Sequence, residues 1–149
     1  MARILVTGMS GAGKTTLLAE LERRGHLTVD TDHGGWALPD GTWDEQRMDR
    51  LLATQPEVVV SGTVDNQGRF YDRFEHVVLL SAPLDVLLER VRSRQDNAYG
   101  TTIEQQAEMV RYLDEVEPLL RRGAGLELDG RRPVAELADV LEDLLAGGS

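Results

Sequence analysis

A chain of 149 residues with 41% hydrophobic content is long enough to bury one sizeable core and too short for two, so a single domain over 1–149 is expected. The formal charge of −10 disfavours nucleic acid and anionic membrane surfaces as partners, and no apolar run reaches the length of a membrane span or of a signal peptide's hydrophobic region. Cysteine is absent, which excludes a disulfide framework and thiolate metal sites and leaves a cytoplasmic protein held by packing as the expectation.

In chain order, Arg3 to Thr7 reads as a short buried strand that runs directly into GMSGAGKTT, residues 8 to 16. Gly8, Gly13, Lys14 and Thr15 fit the Walker A spacing, in the strand-then-helix context that the motif requires. Turning at its glycines, the backbone through Gly8, Ser10, Gly11, Ala12, Gly13 and Thr16 makes an anion nest at the positive end of a helix. Lys14 then reaches the β- and γ-phosphates, and Thr15 offers a hydroxyl to Mg²⁺. A tight turn needing glycine for geometry alone would not ask for lysine followed by threonine. Lys14 is also the one lysine among 16 basic residues.

The helix opening at Thr15 is expected to close at Gly25, followed by a second strand from Leu27 to Asp30 that ends in Asp30-Thr31-Asp32. Alternate strand residues point the same way, so both carboxylates face one crevice if strand geometry persists through them. One carboxylate with Thr15, water and phosphates then suits octahedral Mg²⁺, and the other is available to take a proton from an attacking hydroxyl. A polar turn with an Asx bend is the alternative. Residues 33 to 43 have loop composition, with Trp36 and Trp43 either walling a ligand pocket or capping a small core, and a short helix is expected from Asp44 to Ala53.

Two continuous β-branched runs, Glu57 to Ser61 and His76 to Ser81, read as strands covered on both faces. The loop after the first offers Gly62 for close backbone approach, the side chains of Thr63, Asn66 and Gln67 for hydrogen bonding, and Arg69 for a phosphate or carboxylate. Arg47 offers the same cation but suits a solvated position as well. The second strand feeds a helix marked by Pro83 and Asp85, on which Arg90 and Arg94 lie four apart on one face and can point together at a nucleotide. A capping box available at Thr102 to Gln105 opens a helix expected to run to Arg121 or Arg122. A short strand from Leu126 to Leu128 and an apolar-striped helix from Val134 follow. Alternating strands and helices imply an α/β fold with a parallel sheet and sites at the strands' carboxyl ends.

Asp65-Asn66-Gln67-Gly68 matches a GTPase DxxG in letters, but no second lysine exists to read guanine. The β-branched runs end in serine, so a Walker B acid is not found there. The Walker A loop followed by Asp30-Thr31-Asp32, together with HVVLLSAPLDVLLERVRSR, resembles the P-loop small-molecule kinases of the shikimate kinase and nucleoside monophosphate kinase group. Residues 61 to 74 and the Asn97-x-Tyr99-Gly100 stretch also resemble small bacterial AAA-type ATPases and nucleotide-kinase-like proteins. The resemblance implies a P-loop NTPase three-layer sandwich, its parallel sheet of five strands flanked by helices, with a short lid over 94–102 and an acceptor-binding segment over 33–56. It further implies ATP and Mg²⁺, with the metal on Thr15 and Asp30, and transfer to a small-molecule acceptor assisted by Lys14, Asp32, Arg90 and Arg94. Arg94 and Arg132 would border the nucleotide, and Asp32, Trp36, Gly62, Thr63, Asn66, Gln67 and Arg69 the acceptor. A nucleotide-dependent regulatory module with slow hydrolysis and no acceptor stays open, as does the oligomeric state, with a monomer the simpler expectation. Shikimate kinases follow their third strand with a run of glycines where this chain has only Gly62, which speaks against shikimate itself.

Overall fold

The computed structural model describes residues 2–9, 11–93 and 103–147. Five strands form one parallel sheet: β1 (Arg3–Thr7), β2 (Thr28–Asp30), β3 (Val58–Ser61), β4 (His76–Ser81) and β5 (Leu126–Asp129), in the order β2-β3-β1-β4-β5. The described helices are α1 (Lys14–Arg23), α2 (Glu45–Thr54), α3 (Leu84–Ser93), α4 (Ile103–Glu115), α5 (Glu117–Gly123) and α6 (Val134–Leu145), with a 3-10 helix at Gln67–Arg73. None of the described helices is long and apolar enough to cross a membrane.

The period-two alternation of the strands divides the core into two layers. Ile4, Val6, Val59, Val78 and Leu80 join the helical side chains of α1, α4 and α6 on one face of the sheet. Leu5, Val58, Val60 and Val77 meet Trp43, Met48, Leu52, Phe70 and Phe74 on the other. With both faces covered, the β-branched runs have no polar side to show, which is why they read as continuous apolar stretches. The register sets Val6 beside Ser61 and Thr7 beside Leu79, so β1, β3 and β4 deliver their carboxyl ends to one rim.

Two features depart from expectation. The helix expected to run to Arg121 or Arg122 is broken at Val116 into α4 and α5. Pro118 lies in the first turn of α5, where its missing N–H costs nothing; continued as one helix, its ring would press on the carbonyl of Asp114. The Leu119 and Leu120 amides turn back instead to the Val116 carbonyl. The 3-10 helix, with no apolar period to announce it, was not anticipated. The capping position Thr102 and the lid expected over 94–102 lie outside the described residues.

Candidate functional site

The turn from β1 into α1 works only with glycine at two critical points. Gly8 has φ +151° and a Cβ there would stand 2.2 Å from the Leu80 carbonyl oxygen, while Gly13 enters α1 at φ +109°. Lys14 donates to the Gly8 carbonyl and, at 3.1 Å, to Thr63 Oγ1. The Thr63 hydroxyl also contacts Gly8 O at 2.8 Å, Gly8 N at 3.2 Å and Thr7 Oγ1 at 3.0 Å. Thr63, expected beside the acceptor, is thus placed against the phosphate loop, where its hydroxyl makes these bonds. Ser10 lies outside the described residues.

At the start of α1 the Thr15 hydroxyl donates to Asp30 Oδ2 at 3.2 Å. Strand geometry does not persist through the three residues from Asp30, which corrects the expectation of two carboxylates aligned by the pleat. β2 ends at Asp30, the Asp32 N–H donates to Asp30 Oδ1 at 3.1 Å in an Asx turn, and Asp32 is exposed. Thr31 between them is buried; its hydroxyl donates to the Ser61 carbonyl at 2.8 Å and accepts from Trp43 Nε1 at 2.9 Å. Thr15 and Asp30 bring two hard oxygen ligands together, a donor set that fits Mg²⁺, which keeps much of its shell for water and phosphate. No group of three histidine, cysteine, aspartate or glutamate side chains among the described residues could make an all-protein metal cage.

A cleft of about 350 Å³ opens on the other side of the loop, lined by Gly11, Ala12, Gly13 and Thr16 and by Arg90, Gly130, Arg132, Val134 and Leu137. Apolar Val134 and Leu137 beside the polar Arg90 and Arg132 make a lining that suits a nucleotide base and ribose. Arg90 lies between the phosphate loop and the turn after β5. Its guanidinium donates to the Gly11 and Ala12 carbonyls at 3.1 and 3.2 Å and to the Gly130 carbonyl at 2.7 Å, bracing the loop against the turn after β5. That turn approaches closely, since a Cβ on Gly130 would lie 2.4 Å from Ala12 O. Arg132 borders the cleft and reaches Glu136 at 3.4 Å, whereas Arg131 turns to Asp129 and holds its carboxyl down at about 2. Arg94, the intended companion of Arg90, lies outside the described residues.

The two tryptophans separate. Trp43 is fully buried, edge-on to Phe70 at 5.8 Å, and belongs to the core. Trp36 is half-buried beneath the Arg47 guanidinium, 4.1 Å from its ring centre, and lines a groove of about 370 Å³ that also contains Thr15, Asp30 and His33. Ala37 and Trp43 pair as an antiparallel bridge, so the segment between them is a small hairpin. Three further acceptor candidates are packed or bonded within the protein. At Gly62 the free space is already taken, because a Cβ would meet Thr31 Oγ1 at 2.3 Å and Trp43 at 3.2 Å. Asn66 clamps Trp43, accepting from its N–H at 3.0 Å and donating to its carbonyl at 3.1 Å. Gln67 is buried and bonds to Val64 N, Thr7 Oγ1 and Tyr71 OH. Arg69 stays exposed, 3.5 Å from Glu45, and Arg47 donates to Gly34 O.

Tyr112 of α4 interacts with Thr63 through its hydroxyl, and burial pushes that phenol above its ordinary range. Neither Tyr112 nor Thr7 was foreseen; a lone tyrosine on an amphipathic helix and a threonine at a strand end carry no motif.

A family model described as an AAA domain matches residues 4–111. The uncharacterized protein YqaC of Bacillus subtilis (strain 168) is 31% identical over 110 residues, covering 67% of this chain and 60% of its own length. A nucleotide-binding protein of Pseudomonas putida (strain GB-1) is 29% identical over 160 residues, 96% of this chain and 49% of its own. The chain thus spans 49% to 60% of the length of these curated relatives. The shikimate kinase from Acinetobacter baumannii, solved in complex with shikimate, superimposes with a TM-score of 0.72 over 99% of this chain and 94% of that one. At 22% identity that likeness shows the P-loop kinase fold.

Proposed function

The chain belongs to the AAA domain family whose model spans residues 4–111, and from that premise we propose that it is an ATP- and Mg²⁺-dependent phosphotransferase acting on a hydroxyl or phosphate of a small-molecule acceptor. The observation that carries this reading is the meeting of Thr15 Oγ1 and Asp30 Oδ2 beside the phosphate loop, with Lys14 held at its centre. Bound there, Mg²⁺ would neutralise charge on the phosphates. Thr15 and Asp30 would hold it, Lys14 would support the phosphate oxygens, and the exposed Asp32 would orient or deprotonate the acceptor. Val134 and Leu137 receive the base, while Arg90 keeps the loop rigid and Arg132 closes its rim. In-line transfer asks for little more than such positioning and charge. Trp36 and the groove beside Asp30 give the acceptor an apolar wall. Catalysis by Arg94 at the lid over 94–102 completes the reading.

With Mg·ATP and a panel of alcohols, nucleosides and nucleoside monophosphates, at least one acceptor should raise ADP formation well above the water background. Asp32→Asn should remove that acceptor-dependent rate by a factor of about 10² or more, and Asp30→Asn should raise the Mg²⁺ needed for half-maximal rate. A panel that never exceeds the water rate, with Asp32→Asn unchanged, would falsify the kinase reading. The second reading, a nucleotide-dependent regulatory module with slow hydrolysis, draws support from the use of Thr63, Asn66 and Gln67 inside the protein rather than toward an acceptor.

A further inference from the structure

We infer that Thr63 is a positioning residue for Lys14, and that buried Gln67 fixes Thr63, so that the 3-10 helix sets the geometry of the phosphate-loop lysine. The inference rests on the reading of the loop as an ATP site.

A lysine carries its charge on a flexible four-carbon stem, so a phosphate-binding lysine needs something besides its own backbone to fix it. Here the Gly8 carbonyl and the Thr63 hydroxyl both accept from its ammonium. Thr63 stands just beyond the carboxyl end of β3, the strand beside β1, which explains how a residue 49 positions away reaches the loop. Its hydroxyl has one proton and two lone pairs. Donation to Gly8 O at 2.8 Å leaves the lone pairs to be shared among the Lys14 ammonium at 3.1 Å, the Gly8 N–H at 3.2 Å and the hydroxyls of Thr7 at 3.0 Å and Tyr112.

The chain of contacts continues away from the loop. Gln67 Nε2 donates to Thr7 Oγ1 at 3.1 Å and to Tyr71 OH at 2.9 Å, and its Oε1 accepts from Val64 N at 2.9 Å. Gln67 is only 3% exposed, so these bonds are made without competition from water and would be costly to leave unmade. Tyr71 in turn packs against Gly123 at the end of α5, where a Cβ would come within 2.4 Å of its ring. Lys14, Thr63, Thr7, Gln67 and Tyr71 form one polar path from the phosphate nest to the end of α5. Side chains that a ligand-centred reading assigns to an acceptor therefore act on the phosphate donor.

Titration calorimetry with ATP, ADP and adenosine, in Mg²⁺ buffer, separates positioning from general damage. Adenosine does not touch the lysine, ADP touches it in part, and ATP depends on it most. Thr63→Val, which keeps the shape and removes the hydroxyl, should weaken ATP by about tenfold and leave adenosine within about twofold. Thr63→Ser should restore ATP binding, and Gln67→Met should weaken ATP by about threefold in the same graded order. Equal weakening of all three ligands, unchanged ATP binding in Thr63→Val, or failure of serine to rescue would overturn the inference. Wild-type protein that binds adenosine but no phosphate series, or nothing at all, would overturn the underlying ATP-site reading first. Wild-type affinity rising with phosphate number but insensitive to Thr63 would overturn the positioning role alone.

Discussion

Gly62 stands where the loop after β3 turns toward the site, and one added methyl group there would meet Thr31 Oγ1 at 2.3 Å. The atoms in the way are not chain ends free to swing aside. Thr31 is bonded to Ser61 O and to Trp43 Nε1, and both residues are buried. Gly62→Ala should therefore cost about 1–3 kcal/mol, seen as a lower urea midpoint with unchanged slope, through overpacking rather than through loss of a ligand contact. A midpoint within error of wild type would mean that the loop gives way more readily than this packing implies. The same position shows where the sequence stops being readable. Glycine, asparagine and glutamine after a strand indicate close approach and hydrogen bonding, but not whether the partner is a ligand or the chain itself. At Gly8, Gly13, Lys14 and Thr15 the spacing resolves that ambiguity, because several backbone constraints must be met at once. At Asn66 and Gln67 nothing in the local pattern does.

Helix α2 carries Arg47, which stacks on Trp36, on its first turn, and its start is fixed by Asp44. The Asp44 carboxylate accepts from Arg47 N at 3.3 Å, with extended backbone at the cap. Asp44→Ala should lower stability by about 1 kcal/mol, measured by urea unfolding, and Asp44→Asn should recover most of it. If alanine and asparagine proved equal, the cap would be contributing nothing. Strands β3 and β4 were legible because a continuous β-branched run is a local signal. The break between α4 and α5 was legible in principle too, since Pro118 is in plain view, but the apolar spacing on either side reads through it. The 3-10 helix has no such signal: Phe70 is buried on the second core layer and Gln67 on a polar path, a mixed face that only the tertiary fold creates. The Asx turn at Asp30 was one of two readings the sequence allowed, and the buried Thr31 decides between them.

Over the whole molecule, ion pairs act both within one helix and between elements distant in sequence. Arg24 at the end of α1 meets Glu20, Asp139 and Glu142, tying α1 to α6, and Arg121 meets Glu117 and Glu127. Arg23 and Arg24 hold Glu20 down at about 2; His26 and Arg24 lower Glu142, and Arg121 lowers Glu127. Each of these carboxyls ionises more readily folded than unfolded. Their stabilisation is therefore complete above the ordinary carboxylate range and is lost as pH falls from about 4.5 toward about 2. The thermal midpoint should drop across that window, and less steeply in 0.5 M salt, which screens such exposed pairs. A midpoint flat down to pH 2.5 would remove these pairs from the account. The split between the two tryptophans has a consequence of another kind. Trp43, dry and sealed against Phe70, should emit at short wavelength whatever the site contains, while Trp36, half in solvent beneath a guanidinium, should emit to the red and respond to whatever enters its groove. The chain thus carries a steady internal standard and a variable reporter in a single emission spectrum, and unlabelled compounds can be screened against it by the ratio of the two bands.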